Sequence, residues 1–283
     1  MAELLADFVK KKFIQKPYLI GRGVLPRGGK LFLGGSPKTN KSYLMLNIML
    51  DLARGRPLFG AHYENGKPVL PVSESCRVLY LEMELGDQGL QERFNGMEDR
   101  PGLLHEIVPE GLPLYIQSRD TAMRLDTADG RQYIESILKE VKPDVTVMDP
   151  FAKFNLSNEN DAQEMGAVLR VADHFIEDYG TAIIFIHHTG KPNEDNPRRG
   201  GDRLRGSSAL YGDLDTLIEL TRKSHERTAE PILEMSFELR RGEPLENLFV
   251  KRHRDGTVTW LGSGFAFNDP YNEKYPKSRY KGL

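Results

Sequence analysis

Residues Gly35–Ser42 read GSPKTNKS. They follow the apolar run GGKLFLGG (28–35) and open the stretch KSYLMLNIMLDLARG (41–55). The run reads as a strand. The stretch reads as a helix ending at Gly55, a residue suited to the left-handed position past a helix end. A glycine-started turn from strand into helix, with Lys-Ser at the helix start, is one letter from G-x-x-x-x-G-K-[ST]. That pattern cradles nucleotide phosphates on backbone N–H groups. The expected contact set is Gly35, Ser36, Pro37, Lys38, Thr39, Asn40, Lys41, Ser42 and Tyr43. Lys41 would reach the β- and γ-phosphates of ATP, and the Ser42 hydroxyl would hold Mg²⁺. Asn40 stands where the pattern has its second glycine. Asn is among the few other residues that tolerate left-handed geometry, so the sequence predicts a working variant of the loop.

Beyond the loop, apolar runs alternate with helical stretches. Strands are expected at 30–33, 77–83, 144–149, 181–187, 215–221, 232–239, 247–252 and 257–261. Helices are expected at 41–54, 86–95, 130–141 and 161–178. The early strands are almost continuously apolar, as parallel strands covered on both faces must be. The last three have short connections and should add antiparallel pairs at one edge. The fold class is therefore α/β: a mainly parallel sheet flanked by helices, with antiparallel strands at the C-terminal edge. Residues 1–25 read as an arm separate from the core, with Leu4, Leu5, Phe8 and Val9 near one face of a short helix. Such a face could dock on a neighbouring subunit. Residues 26–267 form the catalytic domain in this reading, and 268–283 a polar tail. Segment 56–76, rich in Gly and Pro, reads as a loop insertion.

Composition narrows the class. A formal net charge of −2 means that any nucleic-acid contact must come from a local patch. The lone Cys76 excludes an intramolecular disulfide framework and any multi-cysteine zinc site. The first residues lack the apolar run of a signal peptide, and no later stretch is long and apolar enough to span a bilayer. The expectation is a cytoplasmic chain with no membrane partner.

Four further motifs bear on chemistry. DVTVMDP (144–150) ends an apolar strand in Asp149, where a carboxylate can hold the hydration shell of Mg²⁺. VLYLEMELGDQGLQER (78–93) offers Glu82 and Glu84 as groups to orient or deprotonate the attacking water. IFIHHTGK (184–191) places His187 and His188 at another strand end. Neighbours on a strand point to opposite faces, so the two cannot easily share a metal ion. The long stretch 189–210 carries Lys191, Arg198, Arg199, Arg203 and Arg205 among glycines, with Glu194, Asp195 and Asp202 offsetting part of the charge. It could grip a phosphate backbone or be an ordinary solvated loop. Phe151, Lys153 and Phe154 could likewise stack on a nucleic-acid strand or only pack their own loop.

These motifs resemble the RecA-like hexameric replicative helicases of the plasmid RepA and DnaB type, over about residues 20–262. The resemblance implies Glu84 as the catalytic glutamate, with Arg93 nine residues on, and His188 as the sensor of the γ-phosphate. It implies that 189–210, with its R-G-S-S run at 205–208, lines a ring channel and contacts single-stranded DNA. In FELRRGEPLENL (237–248) it implies Arg241 as an arginine finger reaching a neighbouring subunit's site. Leu239 stands where a lysine is common, and Arg240 remains a rival for the finger. The implied protein is a homo-oligomer, a hexameric ring by this resemblance, that hydrolyses Mg-ATP to move along DNA. A RecA-like regulatory or assembly ATPase acting on a protein partner is the alternative.

Overall fold

A computed structural model describes residues 3–12, 17–97, 110–156, 161–188, 212–224 and 228–263. The helices are α1 (Leu5–Phe8), α2 (Lys41–Arg54), α3 (Gly86–Gly96), α4 (Ala128–Val141) and α5 (Ala162–Tyr179). The strands are β1 (Lys30–Gly35), β2 (Val78–Glu82), β3 (Leu114–Ser118), β4 (Val145–Asp149), β5 (Ala182–His188), β6 (Thr216–Arg222), β7 (Ile232–Leu239), β8 (Leu248–Arg252) and β9 (Val258–Ser263). They form one sheet in the order β3-β2-β4-β5-β1-β6-β7-β8-β9. Pairing is parallel from β3 to β6 and antiparallel from β6 to β9. This is the expected fold class. β5, which ends in His188, lies between β1 and β4.

The continuous apolar runs divide their side chains between two cores, because successive residues on a strand face opposite ways. Leu31, Leu33, Val78, Tyr80, Val145, Val147, Ile184 and Ile186 join α2 on one face. Phe32, Leu79, Leu81, Met148, Ile183 and Phe185 join α4 and α5 on the other. The helix ends follow their local chemistry. Thr127 caps α4 by accepting from Gly130 N–H at 3.2 Å, and Asp161 caps α5 by accepting from the N–H groups of Gln163 and Glu164. Gly55 ends α2 with φ 66°, in the left-handed geometry expected of it.

Three expectations need correction. Residues Leu19, Ile20, Val24 and Leu25 are not part of a separate arm: all four are buried within the α2 core. Segment 56–76 is more than an inserted loop. Leu58, Ala61, Val69, Leu70 and Cys76 are buried with the same core, and Ile20 bridges both Leu25 and Val72. Both stretches have short apolar groups without periodicity, so their burial depends on tertiary contacts that local pattern does not encode. β3 is absent from the expected strands. It is an edge strand with Tyr115 and Ile116 exposed, and its mixed residues carry no burial pattern. At the N-terminus, Leu4, Leu5, Phe8 and Val9 are exposed around α1. Among the described residues no helix is long and apolar enough to cross a membrane.

Candidate active site

The C-terminal ends of β1, β2, β4 and β5 converge on one crevice, the usual ligand position in an open α/β sheet. A cavity of about 290 Å³ lies there, lined by Lys38–Tyr43, Glu84, Arg93, Asp149, Pro150, Ile186 and His188. The loop that forms its floor is held by its own chain. The Thr39 hydroxyl donates to Ser36 O at 2.8 Å. Gly35 admits no side chain, since a β-carbon would meet Thr39 Oγ1 at 2.8 Å and Leu220 O at 2.9 Å. Asn40 sits at φ 68°, ψ 26°, the left-handed conformation that its amide side chain tolerates. The departure from glycine therefore leaves the turn intact.

Lys41 is buried at 6% exposure, with Nζ donating to Gly35 O at 2.8 Å and Ser36 O at 3.0 Å. Its ammonium lies 3.2 Å from His188 Nδ1. Burial pushes the Lys41 pKa down to about 8, and the negative charges of Asp149 and Glu84 pull it part of the way back. Asp149 shows the mirror image. Burial pushes its carboxyl up to about 6, against hydrogen bonds from the Tyr80 and Ser42 hydroxyls that favour the carboxylate. The Tyr80 bond is 2.7 Å long. Sequence reasoning misses Tyr80, whose only signal is a lone hydroxyl in the apolar run VLYLE.

The two glutamates of β2 and its exit separate clearly. Glu82 is buried, and its carboxylate accepts from the N–H groups of Glu84 (2.7 Å), Leu85 (2.6 Å) and Gly86 (3.0 Å). It is spent on shaping the turn into α3. Glu84 is exposed and lines the cavity. The histidines separate too. The His187 ring is buried against Phe151 (5.7 Å between centroids) and Phe32 (6.3 Å), on the α5 side, whereas His188 faces the crevice. Phe151 and Phe154 are also buried in that core, so these two rings pack their own loop and present no stacking face.

Tyr43 lies between two guanidinium groups, with Arg93 Cζ 4.8 Å and Arg252 Cζ 5.1 Å from its ring centroid. Asn47 ties this corner to the β8–β9 hairpin. Its amide donates to Tyr43 O at 2.8 Å and Gly256 O at 3.0 Å, and accepts from Val258 N–H at 3.0 Å. Neither Arg252 nor Asn47 is visible to motif reading, because Arg252 reaches Tyr43, and Asn47 reaches Gly256, across more than 200 residues of chain.

Oxygen donors at Ser42 and Asp149 suit Mg²⁺, which takes few protein ligands beside substrate phosphates. Among the described residues no group of three or more His, Cys, Asp or Glu could hold a metal ion. Arg241 is not in the crevice. β7 ends at Leu239, which pairs with Thr216, and Thr216 pairs with Leu31 near the start of β1. The level of Leu239 is therefore four residues of β1 from Gly35, or about 13 Å of strand, at the opposite end of the sheet. Lys191, Arg198, Arg199, Arg203 and Arg205 lie outside the described residues, as do the 205–208 run and the 268–283 tail.

Phosphate loop, buried lysine and strand-end aspartate on this sheet define a P-loop ATPase. A family model described as an AAA domain matches residues 1–194, and the chain belongs to that family. The match takes in the loop, Glu84, Asp149 and His188 and stops before Arg241. No curated protein matches the chain.

Proposed function

We propose that this ATPase is a replicative DNA helicase or translocase of a plasmid, phage or mobile element, working as a homo-oligomeric ring. The observation that carries the ring is the position of Arg241. It is exposed and lies at the end of the sheet away from its own phosphate loop, which supports a role at a neighbour's site. In this reading Lys41 holds the β- and γ-phosphates, and Ser42 and Asp149 hold Mg²⁺. Bound there, Mg²⁺ neutralises charge on the phosphates. Glu84 orients the attacking water and takes its proton. His188, in contact with Lys41, reports phosphate occupancy to the adjoining basic segment. Arg241 of one subunit stabilises the charge that develops in the next.

The DNA assignment rests on the segment next to His188. The basic stretch 189–210 follows His188 directly in the sequence, and that adjacency supports coupling between a strand gripped there and the phosphate end. Lys191, Arg198, Arg199, Arg203 and Arg205 are the proposed backbone contacts. The net charge of −2 favours the second reading, an ATPase acting on a protein partner. Hydrolysis measured with and without single-stranded DNA separates the two. Stimulation by DNA, lost when Arg198, Arg199 and Arg203 are replaced together by Ala, is the expected result. Absence of DNA binding at low salt with a non-hydrolysable ATP analogue would transfer the proposal to the protein partner.

A further inference from the structure

Arg240 and Arg241 are adjacent and exposed, yet their surroundings differ. Among the described residues the Arg241 guanidinium makes no hydrogen bond or ion pair. Arg240 makes two contacts with one segment. Its guanidinium donates to Gly212 O, and its N–H donates to Asp215 O at 2.8 Å. Gly212–Asp215 is the foot of the connection from β5, where the chain re-enters the sheet at β6. The same foot is held from the other side by Lys30. Its ammonium pairs with Asp213 and, at 2.6 Å, with Asp173 of α5. Its N–H donates to Asp215 Oδ2 at 3.0 Å, and its carbonyl accepts from Asp215 N–H at 2.9 Å.

The Arg241 turn is itself firmly seated. A β-carbon on Gly23 would meet Arg241 O at 2.4 Å, so the turn packs directly on the 21–24 backbone. Between turn and foot lies a cavity of about 270 Å³, lined by Gly212, Leu214, Asp215, Glu238, Leu239 and Arg240. Among the described residues the side-chain link across this joint is one charge-assisted hydrogen bond, beside that cavity and the Arg240 N–H bond to Asp215 O. A single exposed bond of this kind adds little to stability but fixes geometry.

We infer that Arg240 is a positioning residue that latches the foot of the β5–β6 connection to the turn presenting Arg241. A shift of the foot is then passed to the finger, and so to the site of a neighbouring copy. The inference rests on the proposed function for what the connection binds and what Arg241 does. The latch itself rests only on the contacts above. In this reading Arg241 is the finger, because the Arg240 guanidinium is used within its own subunit.

The test compares the parent protein with Arg240→Ala, Arg240→Lys and Arg241→Ala. DNA-stimulated hydrolysis, DNA affinity by fluorescence anisotropy, and amide exchange over 212–216 and 240–243 are measured on each. Arg240→Ala should lower the DNA-stimulated kcat roughly tenfold, with KM for ATP and DNA affinity within about twofold of the parent. Exchange should rise in both segments. Arg240→Lys, whose ammonium can still donate to Gly212 O, should recover most of both. Arg241→Ala should lose hydrolysis without changing exchange. An Arg240→Ala protein with parental kcat or parental exchange overturns the latch. So does an Arg240→Lys protein no better than Arg240→Ala, which would make Arg240 the finger itself. If the parent shows no DNA binding, the helicase reading fails, and the exchange results alone decide whether the latch exists.

Discussion

Lys30 and Lys41 stand at opposite ends of the same strand–loop unit, and each is 6% exposed. Lys30 is enclosed by its own chain's carboxylates, Asp173 and Asp213, and joins β1 to α5 and the start of β6. Lys41 is enclosed by two carbonyls and an imidazole, and burial lowers its pKa to about 8. The same residue at the same burial is thus completed at one end and incomplete at the other. Asp149, raised to about 6, repeats the pattern within the crevice. Burial raises Asp51 to about 6 as well, away from the crevice, so the shifts mark a place for a charged ligand only together with the open cavity that Lys41 and Asp149 both line. Burial alone does not identify a functional lysine; the partner set does.

The strongest challenge to the contrast is to remove each lysine in turn. Lys41→Ala should cut ATP hydrolysis by roughly 10²–10³-fold or more, through loss of the cation fixed on the phosphates. Lys30→Ala should leave nucleotide affinity unchanged and lower stability by about 1–2 kcal/mol, since Asp173 and Asp213 are partly exposed. Hydrolysis rates, nucleotide titration and thermal melts check both. Reversed phenotypes would mean that the two ends have been misjudged.

The third end of the comparison is Arg241, which should act on another copy. Arg241→Ala should bind nucleotide normally and hydrolyse it roughly 10³-fold more slowly. Mixing it with Lys41→Ala should restore part of the activity, because some interfaces then pair an intact loop with an intact finger. No recovery, with subunit exchange demonstrated by mass measurement, would argue against a shared site.

A smaller effect separates the glutamates. Glu84→Gln should keep nucleotide binding and lose roughly 10²-fold in hydrolysis. Glu82→Gln should instead cost about 1–3 kcal/mol of stability, because three N–H groups lose part of their acceptor. Melting curves and single-turnover rates for the pair would expose an inverted assignment.

The last effect, on stability, concerns Asp149. Its folded pKa, about 6, lies above the ordinary 3.8, so the folded state holds its proton more tightly than the unfolded chain does. Stability from this group is present below pH 3.8 and is lost as pH rises through about 6. At neutral pH, Asp149→Asn should therefore raise stability by about 1–3 kcal/mol while abolishing Mg²⁺-dependent hydrolysis. An unchanged or lower melting temperature would show that the carboxylate is better solvated than its burial implies.

What the sequence disclosed was local. The strand–loop–helix unit, the Asp149 strand end, the C-terminal hairpins and even the backbone of Asn40 depend on residues within a few positions of one another. What it concealed was tertiary. Leu19, Ile20, Val24 and Leu25 are buried because Val72 and the α2 core cover them. Glu82 and Glu84 both fit the motif chemistry, and only the three N–H bonds to Glu82 show which is already occupied. Arg240 and Arg241 look alike until the Gly212 carbonyl is placed beside one of them. Tyr80 and Asn47 carry no motif at all, and their partners come from distant parts of the chain.

The most direct test of the central claim is the proton balance of nucleotide binding. Calorimetric titration of a non-hydrolysable ATP analogue with Mg²⁺ would be run at several pH values, each in two buffers of different ionisation enthalpy. With its pKa lowered to about 8, Lys41 loses its proton in the free protein as pH rises past that value, and a phosphate held against it favours the ammonium. The account predicts proton uptake that grows toward one as pH rises past about 8, little uptake near pH 6.5, affinity that weakens as pH rises, and loss of the uptake in Lys41→Met. Binding that is independent of buffer across the whole range would contradict it.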